Sequence, residues 1–340
     1  MNFGLIVSKQ HPPGVSMVDR FREHVDQVRA ARDAGFDLIV MGQHYLSTPF
    51  QEMQTLPALA RLAAEAGTMR IGATVLLLPL LNPVDVAEQV ATLDVICEGR
   101  FVFGAGLGYR DQEYEAFGVQ GKERVGRFVE SLEVIRRLWT EDEVTHHGRH
   151  WTLDKVTIRP RPLQTPCPLV LVGSQVPAGI ERAARIADGW LVVPVPTVDE
   201  FARQVRTFAT ARAAAGRPAA AEIGRLLEVS CAADEDAAIR RAAPYLLEKY
   251  AAYLSWGIPG ITLDPKAPPE EQLRRLARNR FAVGSPAEVT EALLAQAKAG
   301  ATHATMRVSW PGMPQKDVLA GIELLGTTVL PEVRRRLAAG

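Results

Sequence analysis

His44 stands in the run Met41-Gly42-Gln43-His44-Tyr45, at the end of an apolar stretch that begins at Leu38. Histidine is the side chain most easily tuned to move protons near neutral pH. Gln43 and Tyr45 beside it can hydrogen-bond a ring system. The plainer alternative is a loop in which His44 bonds only to backbone. A second candidate is Val172-Gly173-Ser174-Gln175, which leads from an apolar run into a helical stretch starting near Ala178. A helix start offers free N–H groups to an anion. Gly173 and Ser174 are therefore candidate anion contacts, with Gln175 and Val176 secondary; the alternative for Ser174 is a turn residue. No P-loop pattern or lysine accompanies them, so nucleotide triphosphate hydrolysis is not supported.

Gly104, Gly106 and Gly108 also follow an apolar run, but they are not a dinucleotide fingerprint. The position that would need the last glycine is Tyr109, followed by Arg110-Asp111-Gln112-Glu113. This excludes a Rossmann-type NAD site. The spacing fits either a loop lying close to a flat ligand or a tight turn, and Arg110 either reaches a phosphate or lies exposed. Arg307, Ser309 and Trp310 close a late apolar run. An arginine there needs a partner, either an internal carboxylate or an anion of substrate or cofactor. Val195 and Pro196 either flank a pocket or simply pack. His146, His147 and His150 have strand-like spacing with no carboxylate nearby in sequence, so a satisfied cluster is favoured over a metal site.

Eight short runs rich in β-branched residues could carry these groups: Phe3–Val7, Leu38–Gly42, Ile71–Leu78, Phe101–Ala105, Leu169–Val172, Trp190–Pro194, Leu226–Cys231 and Thr305–Val308. Helical stretches separate them, and a last helix spans Lys316–Leu337. Strands apolar on both faces, alternating with helices, imply a parallel sheet; eight such units imply an α/β fold of the (β/α)8 TIM-barrel type. A doubly wound open sheet is the alternative. Residues 1–340 read as one barrel domain. Glu143–Leu163 reads as a β-hairpin excursion before the fifth strand, and the Pro/Gly-rich Ser255–Arg280 as an insertion or lid between strands seven and eight. In Gly284-Ser285-Pro286-Ala287-Glu288, Ser285 reads as a helix N-cap with Pro286 at the first helical position and Glu288 three residues after the cap. In both families of fold, ligands gather past the carboxyl ends of strands, where His44, Gly106 and Ser174 all fall.

Bulk properties narrow the function. The 340 residues are 47% hydrophobic, ample for a large core. Lys plus Arg and Asp plus Glu are balanced at 39 each, so no global basic field attracts nucleic acid or an anionic membrane. Cys97, Cys167 and Cys231 are odd in number and widely spaced, with neither a disulfide framework nor metal-ligand spacing. A reduced, cytoplasmic setting is expected, with no signal peptide and no membrane-length apolar run.

The stretch 83–118 adds a resemblance. It holds Pro-x-x-x-Ala-Glu at Pro83–Glu88, Leu93-Asp94, Gly99-Arg100-Phe101, Gly104-x-Gly106, and Glu-Tyr-x-x-Phe-Gly ending at Gly118. In these residues the chain resembles the bacterial luciferase-like monooxygenase family of flavin-dependent oxidoreductases, with weaker matches along nearly the whole length. The resemblance implies a monooxygenase using reduced FMN and dioxygen on a small organic substrate, with His44 catalytic. It also implies a cis peptide between non-proline residues at Thr74-Val75, beneath the flavin ring; the alternative is an ordinary buried strand. Flavin phosphate would lie at Gly173, Ser174, Gln175 and Val176, with further cofactor contact from Gly106, Leu107 and Tyr109. Leu107 departs from the arginine some members carry there, which leaves the phosphate partner on that loop open. Two alternatives remain: a deazaflavin coenzyme serving hydride transfer, and a non-catalytic flavin-binding protein on the same scaffold. A flavin reductase supplying reduced FMN and a homodimer are the implied partners.

Overall fold

The computed structural model describes residues 1–339. Eight parallel strands close on themselves: β1 (Asn2–Ile6), β2 (Leu38–Met41), β3 (Arg70–Leu77), β4 (Phe101–Gly106), β5 (Leu169–Gly173), β6 (Gly189–Val192), β7 (Glu222–Cys231) and β8 (His303–Arg307). Each pairs with the next in chain order, and β8 returns to β1 with Asn2 opposite His303. The expected (β/α)8 barrel is the observed fold, and all eight strands lie where the apolar runs placed them.

The double burial of the strands explains their sequences. Side chains alternate faces along a strand. Phe3, Leu5, Ile39, Met41 and Ile71 join the layer between barrel and helices, while Ile6, Leu38, Val40 and Leu226 form a separate cluster within the barrel. At its amino-terminal end the barrel is closed by a polar plug: Glu222 accepts from Arg70 at 3.1 Å and meets the His303 ring at 2.7 Å. The opposite end carries the long loops.

The excursion before β5 is an antiparallel hairpin, Val144–His147 against Thr152–Val156. Beyond Val156 the chain leaves the hairpin, and Thr157 bonds the Asp142 carbonyl at 2.8 Å. Between β7 and β8 the helix Glu235–Ser255 runs into a loop and the helix Pro269–Ala277, and then the strand Ala282–Gly284 extends the sheet on the end of β7. The following helix, Pro286–Lys298, starts on a complete Ser285–Glu288 capping box. The last helix is continuous from Gln315 to Ala339 but passes through a π-helical segment, Leu325–Val329. The three cysteines are free thiols. Among the described residues no helix is long and apolar enough to cross a membrane.

Candidate active site

The loops after β2 and β4 meet over a single carboxylate. Glu113 lies on the short helix Asp111–Ala116 and is fully buried. Its Oε1 accepts the Tyr45 backbone N–H at 2.9 Å, lies 3.2 Å from His44 Nδ1, and is 3.4 Å from Arg110 Nη1. Arg110 also donates to the Tyr45 and Leu46 carbonyls at 2.6 and 3.0 Å. A carboxylate only accepts, so this contact assigns the ring proton to Nδ1 and leaves Nε2 free. A histidine held this way can take a proton at Nε2 and share the resulting charge with Glu113.

Aromatic rings wall the histidine. Tyr109 and Tyr253 stand edge-on to it at 5.9 and 6.2 Å, and Trp256 lies 5.6 Å away. Trp256 comes from the insertion after β7; it stacks on Tyr253 at 5.1 Å, covers the Arg110 guanidinium at 4.3 Å, and donates its indole N–H to the Thr48 carbonyl. The insertion therefore forms a lid on the β2 loop, and the His44 side chain keeps only 18% of its surface exposed. Burial pushes the Tyr109 phenol far above its ordinary value, so its hydroxyl stays a donor. That hydroxyl is buried and has no partner.

The loop after β1 contributes a second ion pair. Lys9 meets Glu52 at 2.8 Å and donates to the Met53 carbonyl at 2.7 Å. Burial opposes ionisation of Glu52, but the Lys9 charge and then that of His44 hold its carboxyl below the usual range. Gln10 bridges Glu52 and the Tyr253 hydroxyl, tying the lid helix to this loop. Beyond it, β7 and β8 present Glu228, which is wholly buried. Its carboxylate receives Lys249, Arg307 at 2.8 Å, the Tyr250 hydroxyl at 3.1 Å and the Trp310 indole at 2.7 Å. Burial would raise the Glu228 pKa; Lys249 and Arg307 overcome it and hold the group down at about 2. Of the two partners open for Arg307, the internal carboxylate is present.

The floor of the mouth lies on β3. The Thr74-Val75 peptide is cis, at the position the resemblance implied. The β3–β4 register shifts between Ala73 and Leu76, turning Val75 toward the neighbouring strand ends. A Cβ added at Gly106 would lie 2.6 Å from Val75 Cγ2, and one at Gly173 3.0 Å from Val75 Cγ1. Val75 thus leaves no room for a side chain at Gly106 and little at Gly173, a reason that spacing alone did not reveal. Ser174 follows directly, its Oγ over the first turn of the helix Pro177–Ile186. Val176, at the N-cap, is exposed and makes no side-chain cap bond, and Pro177 has no N–H to satisfy. An uncapped first turn flanked by a serine hydroxyl suits an external anion. The Gln175 carbonyl is held by Gln204, and the Leu107 carbonyl by the Tyr114 hydroxyl.

Several sequence candidates serve the scaffold instead. Gln43 is bonded internally, accepting from the Leu77 N–H and donating to the Tyr45 hydroxyl at 2.9 Å each, while the Tyr45 O–H keeps its own proton to donate. Arg110 is neither exposed nor a phosphate ligand; the loop carbonyls, Glu113 and Trp256 enclose it. The Val193 and Pro196 carbonyls are fastened by buried Arg225, so the Val195-Pro196 turn is explained by packing. A carboxylate does lie beside the hairpin histidines: Glu130 reaches His146 Nε2 at 3.3 Å and accepts the His150 and Trp151 backbone N–H groups. It came from a helix 16 residues earlier than His146 and satisfies the hairpin; no metal-holding group occurs among the described residues. Glu113, Tyr253 and Trp256 were missed in the sequence. For Glu113 the signal was the Arg110-x-x-Glu113 spacing on one helical turn.

Comparison with known proteins decides the family. The model of the luciferase-like monooxygenases matches residues 1–303. The chain belongs to the luciferase-like monooxygenase family. An F420-dependent glucose-6-phosphate dehydrogenase from Beutenbergia cavernae is 27% identical over 324 residues, covering 90% of this chain and 91% of that protein. The monooxygenase RslO1 from Streptomyces bottropensis superposes with a TM-score of 0.86 at 25% identity, covering 98% of this chain and 99% of the other. The oxygenating constituent of 3,6-diketocamphane monooxygenase from Pseudomonas putida, a type II Baeyer-Villiger enzyme solved with FMN, shares the fold with a TM-score of 0.78 at 21% identity over 98% of each chain. Members of this family are flavin- or F420-dependent oxidoreductases, and this one is an enzyme of that class. The residues present fit a flavin-type cofactor. Val75 makes the β3 floor contiguous with the Ser174 loop, the uncapped helix start suits a phosphate, and the unpartnered Tyr109 hydroxyl is a buried donor awaiting an acceptor.

Proposed function

We propose that this protein is a monooxygenase that uses reduced FMN and dioxygen to oxidise a small organic substrate. The observation that carries this reading is the His44–Glu113 pair roofed by Trp256 and Tyr253. It combines a proton-handling group with a site walled against water, and oxygen chemistry on a reduced flavin requires both. The likeness to a monooxygenase along the full chain supports it. FMN supplies the redox chemistry; Thr74 and Val75 support its ring, while Gly173, Ser174, Gln175 and Val176 surround its phosphate. Gly106, Leu107 and Tyr109 border the same space. His44 holds or delivers a proton at Nε2, and Glu113 fixes its orientation. A separate reductase supplies reduced FMN, and the working form is a homodimer.

A second reading has a specific observation behind it: the F420-dependent relative covers nine-tenths of the chain. There the same residues would serve hydride transfer without dioxygen. Titration of the protein with FMN and with F420, followed by absorbance, separates the two. Perturbation of the FMN spectrum, with substrate-dependent oxygen consumption on adding reduced FMN, is expected. Perturbation by F420 alone replaces the first reading with the second, and FMN binding without turnover over a broad substrate panel leaves only a flavin-binding protein.

A further inference from the structure

Glu228 and Arg307 are register partners on adjacent strands. Leu226, two residues before Glu228, belongs to the cluster inside the barrel, so Glu228 and Arg307 face inward as well. They sit at the carboxyl-terminal end, where substrate must enter. The three charges are not equally covered. Glu228 and Lys249 keep 0% and 1% of their side-chain surface, whereas Arg307 keeps 14%.

Charge is also out of balance. Lys249 and Arg307 converge on one oxygen of one carboxylate, and the other oxygen is taken by Trp310. Round the mouth the described pairs set Lys9, Arg110, Lys249 and Arg307 against Glu52, Glu113 and Glu228, four cations to three anions. Lys249 is the weakest of the four: burial first, and the Arg307 charge second, bring it down to about 7 against the pull of Glu228, so near neutral pH it carries only part of a charge. A guanidinium offers five N–H donors in a planar fork, and Glu228 engages Nη1. Tyr253 lies close enough to Arg307 for the two to influence each other's charge, and its ring lies beside both Lys249 Nζ (4.8 Å) and His44 (6.2 Å).

We infer that Arg307 is the anchor for an anionic group on the substrate, and that the substrate is a small carboxylic acid with an apolar or aromatic body. Glu228 and Lys249 hold the guanidinium in place. The carboxylate of the substrate takes the open side of the fork, and its apolar body lies against Tyr253 and Trp256 on the way to His44. This rests on the mouth being the substrate site. It does not require FMN rather than F420.

The test compares carboxylates with their neutral amides, since the pair differs in charge and little in shape. Aliphatic acids from acetate to decanoate, and benzoate, are titrated calorimetrically into the full-length protein with and without FMN, alongside the matching amides. At least one acid is expected to bind about tenfold to a hundredfold more tightly than its amide, the range for hydrogen bonds to a charged group. Arg307→Gln is expected to erase that preference while leaving amide binding unchanged, and Arg307→Lys to restore part of it. Arg307→Lys also guards against misfolding, because it keeps a cation beside Glu228. Equal binding of acids and amides across the panel, or an undiminished preference in Arg307→Gln, overturns the inference. So does a loss of FMN affinity in Arg307→Gln with riboflavin affinity intact, which would give Arg307 to the cofactor phosphate. An acid preference that persists in protein failing to bind any flavin refutes the proposed function and leaves the anchor standing.

Discussion

Replacing Glu113 by glutamine removes one charge with almost no change in shape, from the group on which the β2 and β4 loops converge. The glutamine carbonyl can still accept the Tyr45 N–H, now at 2.9 Å from the carboxylate. What it cannot do is balance Arg110, 3% exposed, or a protonated His44. A hydrogen bond to a charged partner contributes about 1.5–3 kcal/mol and a neutral one about 0.5–1.5 kcal/mol, so each of these two contacts weakens by about 1–1.5 kcal/mol. Stability should fall by about 2–3 kcal/mol, read from the urea midpoint at unchanged slope. The state with His44 protonated is disfavoured by about 1–1.5 kcal/mol, so steps that pass through it slow by roughly tenfold. The assay is reoxidation of protein-bound reduced FMN in aerated buffer, followed by flavin absorbance, and turnover once a substrate is found. Because the two side chains act as a unit in the reaction, Glu113→Gln should slow reoxidation no further in a His44→Ala background, while the Arg110 contact still lowers its stability. Strictly additive losses of rate, or a Glu113→Gln variant as fast and as stable as the parent, would refute the coupling.

Gly106→Ala forces a Cβ within 2.6 Å of Val75 Cγ2 and should cost about 1–3 kcal/mol; Val75→Ala in the same chain should recover most of it, measured by urea denaturation. Trp256→Ala removes the cover over His44 and Arg110, so the rate of His44 modification by diethyl pyrocarbonate should rise severalfold, read by mass spectrometry of the peptide. His11 and His24, ring to ring at 3.1 Å, have pKa values lowered from 6.5 to about 3 and about 4, burial being the main cause for each. The unfolded chain therefore binds more protons below pH 6.5. The contribution of the pair is complete above that pH and is lost as pH falls toward 4 and then 3, with His24 alone accounting for about 3 kcal/mol. His24→Gln should flatten the stability profile in that window.

The barrel was legible because β strands buried on both faces carry unbroken apolar runs, and all eight stood out between helical stretches. His44 and Ser174 could be placed at the carboxyl-terminal mouth because each follows a strand directly. Glu113 was not, since its partners lie 68 and 69 residues earlier and only closure of the barrel brings the β2 and β4 loops together. The same holds for Trp256, whose contacts with Thr48 and Arg110 reach back to the β2 and β4 loops, 208 residues in the case of Thr48. Arg110 misled for a related reason: a loop arginine looks exposed until the lid and four acceptors enclose it. Gly106 and Gly173 were found by position, but their closeness to Val75 was not legible, because the turn of Val75 toward them depends on the backbone of β3.

A crystal structure of the protein grown with FMN tests the account most directly. The isoalloxazine should lie over Thr74-Val75 within reach of His44 and the Tyr109 hydroxyl, with the phosphate against Ser174 at the start of the helix Pro177–Ile186. A flavin bound away from the carboxyl-terminal mouth, or a phosphate on the opposite side of the barrel from Ser174, would contradict it.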